Sequence, residues 1–297
     1  MSKLVLIDGN AILHRAYHAL PSLTTRRGEP INAVYGLVSM LLKVIQDLKP
    51  THIAVAFDRK EPTFRHKKYP KYQAQRPKMD AELSSQFEKA RDVITAFGIP
   101  IYDKAGYEAD DLIGTIANKV KLDVVIVTGD RDILQLVDNK VKVYMPVVGM
   151  SQGKLMGIDE VIEKMGVTPA SIEDYKALVG DPSDNYPGVP GIGPKTAIGL
   201  LEKYKTLDNI YKHLGEMPTR TAQKLKEGRQ SSKISKKLAS IVKNVPLKFK
   251  IEDSANWDVD GERVLRLFSE YGFRTLTERV KKVGKQLDQE KQMTLLT

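Results

Sequence analysis

The sequence predicts an α/β fold, a mostly parallel central sheet with helices on both faces, joined to a helical subdomain. Three observations lead there. In the first half, short β-branched runs alternate with amphipathic segments, the pattern of strands linked by crossover helices. The runs are apolar throughout, so the strands are expected to be covered on both faces. Beyond about Ile158 the strand pattern fades and helical spacing dominates.

The predicted strands are Leu4–Ile7, Ile53–Phe57, Val124–Val127 and Val141–Tyr144. Helices are predicted near Val34–Leu48, Leu83–Phe97 and Asp110–Lys119, with His14 and His18 on one face of another helix start. The helical half is interrupted by the Pro/Gly-rich stretch Gly180–Pro194 and by Pro218 and Pro246. These boundaries divide the chain into a core over 1–157, a helical subdomain packed on it over 158–280, and a polar, mobile tail over 281–297.

Nine carboxylates stand in five groups at the edges of apolar runs: Asp8; Asp58; Glu108, Asp110 and Asp111; Asp130 and Asp132; Asp181 and Asp184. Three predicted strands run directly into one of them, at Asp8, Asp58 and Asp130. Ligands of open α/β sheets collect beyond the carboxyl ends of the strands, so separate acids are brought to one edge. Glu108 and Asp111 fall on one face of a helix start with Asp110 beside them. Helix capping accounts for one or two such acids, not for the set. Clustered carboxylates repel unless a cation sits among them, and oxygen-only ligands select hard divalent ions such as magnesium or manganese.

The rest of the chain is basic. Lys and Arg number 47 against 37 Asp and Glu, a net charge of +10 and a pI near 9.4. A basic body around an acidic pocket suits a metal-dependent enzyme acting on nucleic acid. The absence of cysteine excludes disulfides, zinc–thiolate sites and cysteine nucleophiles. The five histidines share no joint spacing, which argues against histidine-based catalysis. No apolar stretch reaches membrane-spanning length, and the apolar run at the start is too short for a signal-peptide core. A cytoplasmic, nucleoid-associated monomer is expected.

Two segments suit a nucleic-acid grip. Between Arg59 and Lys78 lie eight basic residues, Arg65, Lys71 and Arg76 among them, interleaved with Phe64, Tyr69 and Tyr72. Cations among aromatics suit a mobile segment that tracks a single strand and stacks its bases. In Gly188–Ala197, the glycines Gly191 and Gly193 precede Lys195, Thr196 and an apolar helix, so backbone N–H groups can approach a phosphate. A nucleotide-binding loop is rejected there because Pro194 interrupts the motif and no strand precedes it. A plain turn between packed helices is the alternative.

Taken in order, Val-Leu-Ile-Asp8-Gly-Asn, Phe-Asp58, Gly-Tyr-Glu108-Ala-Asp110-Asp111, Thr-Gly-Asp130-Arg-Asp132 and Gly-Asp181-Pro-Ser-Asp184-Asn carry a resemblance. The chain, to about residue 280, resembles the 5′-nuclease domain of bacterial DNA polymerase I and its stand-alone flap-endonuclease relatives. The resemblance implies a PIN-like sheet and structure-specific 5′→3′ hydrolysis of DNA flaps and ends by two divalent ions. It implies a first metal site at Asp8, Asp58, Glu108, Asp110 and Asp111, and a second at Asp130, Asp132, Asp181 and Asp184. It makes residues 59–80 an arch over the site, in which Arg76 and Lys71 serve catalysis and Arg65 and Tyr72 meet DNA. It makes Gly191, Gly193, Lys195 and Thr196 part of a helix–three-turn–helix that holds duplex backbone with help from potassium. Arg26 and Arg27 match a loop that meets substrate near the junction. Relatives commonly carry a lysine after the tyrosine at 72; Gln73 stands there and cannot supply a cation, so either Lys71 substitutes for it or the rate is lower.

The final residues, Gln292 to Thr297, resemble the short peptides that dock in the bacterial sliding clamp, through Gln292, Leu295 and Leu296. An RNA-cleaving nuclease with the same acidic pocket and a non-catalytic DNA-binding module are the rival readings. The glycine hairpin argues against the first, and retention of all nine acids against the second.

Overall fold

The computed structural model describes residues 2–148 and 152–295. Six strands, β1 (Lys3–Asp8), β2 (His52–Ala56), β3 (Ile101–Tyr102), β4 (Asp123–Val127), β5 (Val141–Val148) and β6 (Gln152–Met156), form one sheet in the order β3-β2-β1-β4-β5-β6. All neighbours are parallel except the β5–β6 pair, an antiparallel edge. All four predicted strands are present. β3 escaped detection because it has two residues, and β6 because the sequence Gln-Gly-Lys-Leu-Met lacks β-branched residues.

The continuous apolar runs are buried on both sides, and the pleat decides which residue serves which side. Leu4 and Leu6 of β1 join Val124 and Ile126 under helix Ala109–Lys119. Val5 and Ile7 join Ile53, Val55, Val125 and Val127 under helices Gly9–Ala19 and Asn32–Leu48. Helix Asn32–Leu48 has no capping side chain of its own at Ile31. The fully buried Gln86 supplies one from a neighbouring helix, its Oε1 accepting the Ala33 N–H at 2.8 Å.

The helices after Ile158 divide between the two faces of the sheet. Residues of helices Ile172–Val179, Pro194–Tyr204 and Leu207–Lys212 share a core with Leu4 and Ile126, whereas helices Glu262–Tyr271 and Arg274–Leu295 share the core of the opposite sheet face. The expected mobile tail is instead helix through Leu295, because Val280, Val283 and Leu287 recur at helical spacing and pack on Asn32–Leu48. Of the proposed clamp peptide, Gln292 is an exposed position of this helix, Leu295 is its last residue, and Leu296 lies outside the described residues.

Helix Ile172–Val179 ends at Gly180, after which a tight hairpin pairs Asp181 with Tyr186 through backbone bonds of 2.8 and 3.0 Å. Its two ends cross in contact. Gly180 and Gly188 have φ of +76° and +63°, and a Cβ on Gly188 would stand 2.2 Å from the Gly180 nitrogen. Only glycine satisfies both constraints. Gly188→Ala is expected to cost at least about 2 kcal/mol of stability. Gly199→Ala, in open space on helix Pro194–Tyr204, is expected to be neutral or stabilising. Chemical denaturation of the two variants checks the contrast.

Candidate active site

The order of the sheet reverses between β1 and β4, so the crevice at that switch point opens beyond their carboxyl ends. Asp8 is both the last residue of β1 and the N-cap of helix Gly9–Ala19. Its Oδ1 accepts the Ala11 N–H at 2.9 Å and its Oδ2 the Thr128 hydroxyl at 2.7 Å. Asp58, just past β2, accepts the Ala109 N–H at 2.7 Å, while its own N–H donates to Asn10 at 3.0 Å. Glu108 caps helix Ala109–Lys119 and accepts the Thr63 hydroxyl at 3.0 Å. Asp130, beyond β4, accepts the Asp132 N–H at 2.8 Å. With Asp110, these acids line a cavity of about 630 Å³, whose wall also carries Arg59, Lys60 and Arg76.

A second group adjoins it. Asp132, Asp181 and Asp184 each offer an oxygen within 4.8 Å of the others. Asp181 accepts both the N–H and the hydroxyl of Ser183, at 2.8 and 2.5 Å. Lys176, from helix Ile172–Val179, donates to Asp132 and, at 2.6 Å, to Asp181. Asp184 is gripped by the basic segment: Arg76 at 2.5 Å, the Tyr72 hydroxyl at 3.1 Å and the Gln73 amide at 3.2 Å. Gln73 adopts φ of +55°, which aims its backbone N–H at the Asp184 carbonyl, 3.0 Å away.

These carboxyls hold their protons unusually firmly. Burial, reinforced by the charges of Asp58 and Asp130, pushes Asp8 up to about 7. Glu108 also reaches about 7, through burial and the charges of Asp111 and Asp58, although Arg65 opposes the rise. Asp110 is raised well above the carboxylate range by burial and by Asp130, Asp8, Asp58 and Glu108. Asp58 is raised by burial even though the cavity leaves it open to solvent. Burial takes Asp132 to about 6 against the pull of Lys176. Asp181 goes the other way: burial is overcome by Lys176 and Ser183, and its carboxyl lies below the ordinary value. Asp110 has no hydrogen-bond or ion-pair partner among the described residues. Clustered carboxylates lining an open cavity fit hard divalent ions, with oxygen donors from five chain segments.

The structure brings eight of the nine acids into these two groups and sets Asp111 apart. Asp111 is fully buried, with both oxygens paired to the Arg65 guanidinium at 2.7 and 2.8 Å. The N–H groups of Val242 and Glu108 take its remaining lone pairs, so it has none left for a metal ion. Arg65 is corrected with it. Only 2% exposed, Arg65 also donates to the carbonyls of Leu238 and Ser240, so it braces the helical half against helix Ala109–Lys119 and does not face DNA. Tyr72 is likewise buried, its ring in a small cluster with Tyr186 and Leu238, which removes it from any base-stacking surface. Segment 59–80 therefore lies packed on the site, short helix Phe64–Lys68 included. Lys71 is exposed but does not line the acidic cavity, whereas Arg76 does.

Gly191, Gly193, Lys195 and Thr196 are exposed around the start of helix Pro194–Tyr204, and the Gly191 carbonyl accepts the Lys224 ammonium at 2.7 Å. Arg26 and Arg27 are exposed, and Arg26 borders a different cavity, beside Phe273. Sequence reasoning missed Lys176, Thr128 and Asn10. Lys176 had a readable signal, a single lysine between the apolar Ile172 and the pair Ala177-Leu178; the other two had none.

Residues 3–166 match the family described as 5′-3′ exonuclease, N-terminal resolvase-like domain. Residues 167–262 match 5′-3′ exonuclease, C-terminal SAM fold. The chain belongs to the 5′→3′ exonuclease family. It is 43% identical to DNA polymerase I of Caldicellulosiruptor bescii over 94% of its own length and 33% of that protein. It is 38% identical to DNA polymerase I of Bacillus subtilis over 98% of its length and 34% of that protein. The chain thus spans about a third of these relatives. Among solved structures it is similar to the zinc-bound T5 5′-exonuclease, with a TM-score of 0.67 at 20% identity, covering 95% of this chain and 98% of that one. Flap endonuclease-1 from Methanococcus jannaschii is similar at a TM-score of 0.63 and 18% identity, covering 97% and 94%. These two solved structures share the overall fold of the chain. No helix among the described residues is long and apolar enough to cross a membrane.

Breaking the Arg65–Asp111 pair leaves an unpaired buried charge, so Arg65→Met is expected to cost about 3–5 kcal/mol in denaturant unfolding. A pH dependence also follows. Acids raised to about 7 keep protons that the unfolded chain sheds near pH 4, so stability of the metal-free chain falls as pH climbs between those values and levels above them. In chelator, Tm should be lower at pH 8 than at pH 5, and Asp110→Asn should flatten the slope.

Proposed function

We propose that the acidic cavity hydrolyses phosphodiesters at the 5′ ends and 5′ flaps of duplex DNA, with two divalent ions, magnesium or manganese. The observation that carries this reading is the convergence of acids from the ends of β1, β2 and β4, a helix start and the Asp181–Tyr186 hairpin, with Asp110 lacking any cationic partner among the described residues. Asp8, Asp58, Glu108, Asp110 and Asp130 would hold one ion, and Asp132, Asp181 and Asp184 the other. Such ions would supply activation of water and compensation for charge on the scissile phosphate.

The protein's own groups do the rest. Arg76 is half exposed on the cavity wall, and its guanidinium now rests on Asp184. A phosphate entering the cavity offers the guanidinium another anionic oxygen partner, so Arg76 is the group that exchanges a carboxylate for the substrate. Thr128 and the Ala11 N–H keep Asp8 aimed at the cavity, and Asn10 and the Ala109 N–H do the same for Asp58. The exposed helix start at Gly193–Thr196 presents free N–H groups and Lys195 to duplex backbone, a grip blind to sequence. Exposed Lys67, Lys68, Lys71 and Lys78 belong to the same segment as Arg76 and add positive surface for a polyanion. Potassium at Gly191 and a clamp peptide at Gln292, Leu295 and Leu296 are separate proposals that rest on sequence alone.

The test is cleavage of an end-labelled 5′-flap duplex. Wild type should cut in magnesium and not in EDTA. Asp130→Asn should lower the single-turnover rate by more than about a hundredfold while leaving flap binding in chelator intact. A variant that cuts at the wild-type rate would remove Asp130 from the site.

A further inference from the structure

We propose that Lys176 is a resident counter-cation of the second acidic group and sets how tightly that group takes a divalent ion. The inference rests on the reading of that group as an ion site. Lys176 is 9% exposed, and the helix face around it buries Ile172, Ala177 and Leu178. A lysine in such surroundings stays charged only when its ammonium is paired. Its partners come from two unconnected places. Asp132 opens the short turn after β4, and Asp181 belongs to the Asp181–Tyr186 hairpin, so one ammonium joins them. Asp184 completes the same oxygen triangle and is paired with Arg76.

The ammonium therefore touches two of the three carboxylates that a divalent ion would need. A divalent ion entering the triangle must share Asp132 and Asp181 with it or displace it, and either route weakens binding. The first group differs. No lysine donates a hydrogen bond to Asp8, Asp58, Glu108, Asp110 or Asp130 among the described residues; Glu108 meets the Arg65 guanidinium at 3.2 Å, and the hydrogen bonds to Asp8, Asp58 and Asp130 come from backbone N–H groups and the Thr128 hydroxyl. Two unequal affinities follow. The first group fills tightly and the second weakly, which leaves the second ion free to arrive with the substrate, whose phosphate adds negative charge and draws Arg76 from Asp184.

Manganese titration followed by electron paramagnetic resonance, on the whole chain without DNA, tests this. Wild type should show one tight and one weak ion. Lys176→Met, which keeps the length and removes the charge, should tighten the weak ion about tenfold or more and leave the tight one unchanged. Lys176→Arg should keep it weak. Lys176→Met should also melt lower than wild type in chelator and gain more from manganese, because its acids are then unpaired. A weak ion that is unchanged or weaker in Lys176→Met overturns the inference, as does a variant that stays unfolded with manganese present. Either result leaves the proposed function standing. Wild type that binds no manganese would instead refute the ion site and the inference together.

Discussion

Mutual repulsion among carboxylates is the constraint around which this molecule is arranged. Folding brings nine acids to the carboxyl edge of one sheet and its flanking helix ends, where burial makes each charge costlier. The protein answers in three ways. Helix N-termini and hydroxyls accept part of the charge at Asp8, Asp58 and Glu108. Arg65 neutralises Asp111 outright, and Lys176 and Arg76 meet the second group. The remainder, centred on Asp110, is left without a partner among the described residues. A fold selected only for stability would have no reason to keep that remainder, and its location is where a hydrolase of polyanions needs positive ions.

The same compensation ties the molecule together. Arg65 belongs to the basic segment after β2, Asp111 to the helix before β4, and Leu238 and Ser240 to the helical half, so one guanidinium joins three parts of the chain. Tyr72, Gln73 and Arg76 perform a similar junction at Asp184. Cations that resemble DNA contacts in the sequence are thus divided between internal bracing, as at Arg65, and the cavity wall, as at Arg76. Phosphate binding and fold closure use the same chemistry of guanidinium against oxygen, and only burial separates them.

Gln73 illustrates a departure whose consequence became visible in three dimensions. A lysine there would add a cation beside Arg76. The glutamine instead uses its side-chain amide and its backbone N–H to hold Asp184 and its carbonyl, in a left-handed backbone conformation. The side chains that hold the second acidic group are then one neutral amide, the hydroxyls of Tyr72 and Ser183, and two cations, Lys176 and Arg76.

By itself, the sequence determined the sheet and the edge at which the chemistry lies. Apolar runs such as Leu4–Ile7 and Val124–Val127 are buried on both faces wherever they fold, and an acid directly after such a run has to emerge at the strand's carboxyl end. Local pattern therefore placed Asp8, Asp58 and Asp130. It did not separate Asp111 from Asp110, because adjacent residues of one helix start point in different directions and only the arrival of Arg65, from 46 residues away, shows which of them is consumed. It did not place Lys176 between Asp132 and Asp181, nor divide the helices after Ile158 between the two sheet faces, since nothing in a helix's own periodicity says which partner its apolar stripe will meet. Those decisions belong to contacts between distant segments, which exist only once the chain has closed.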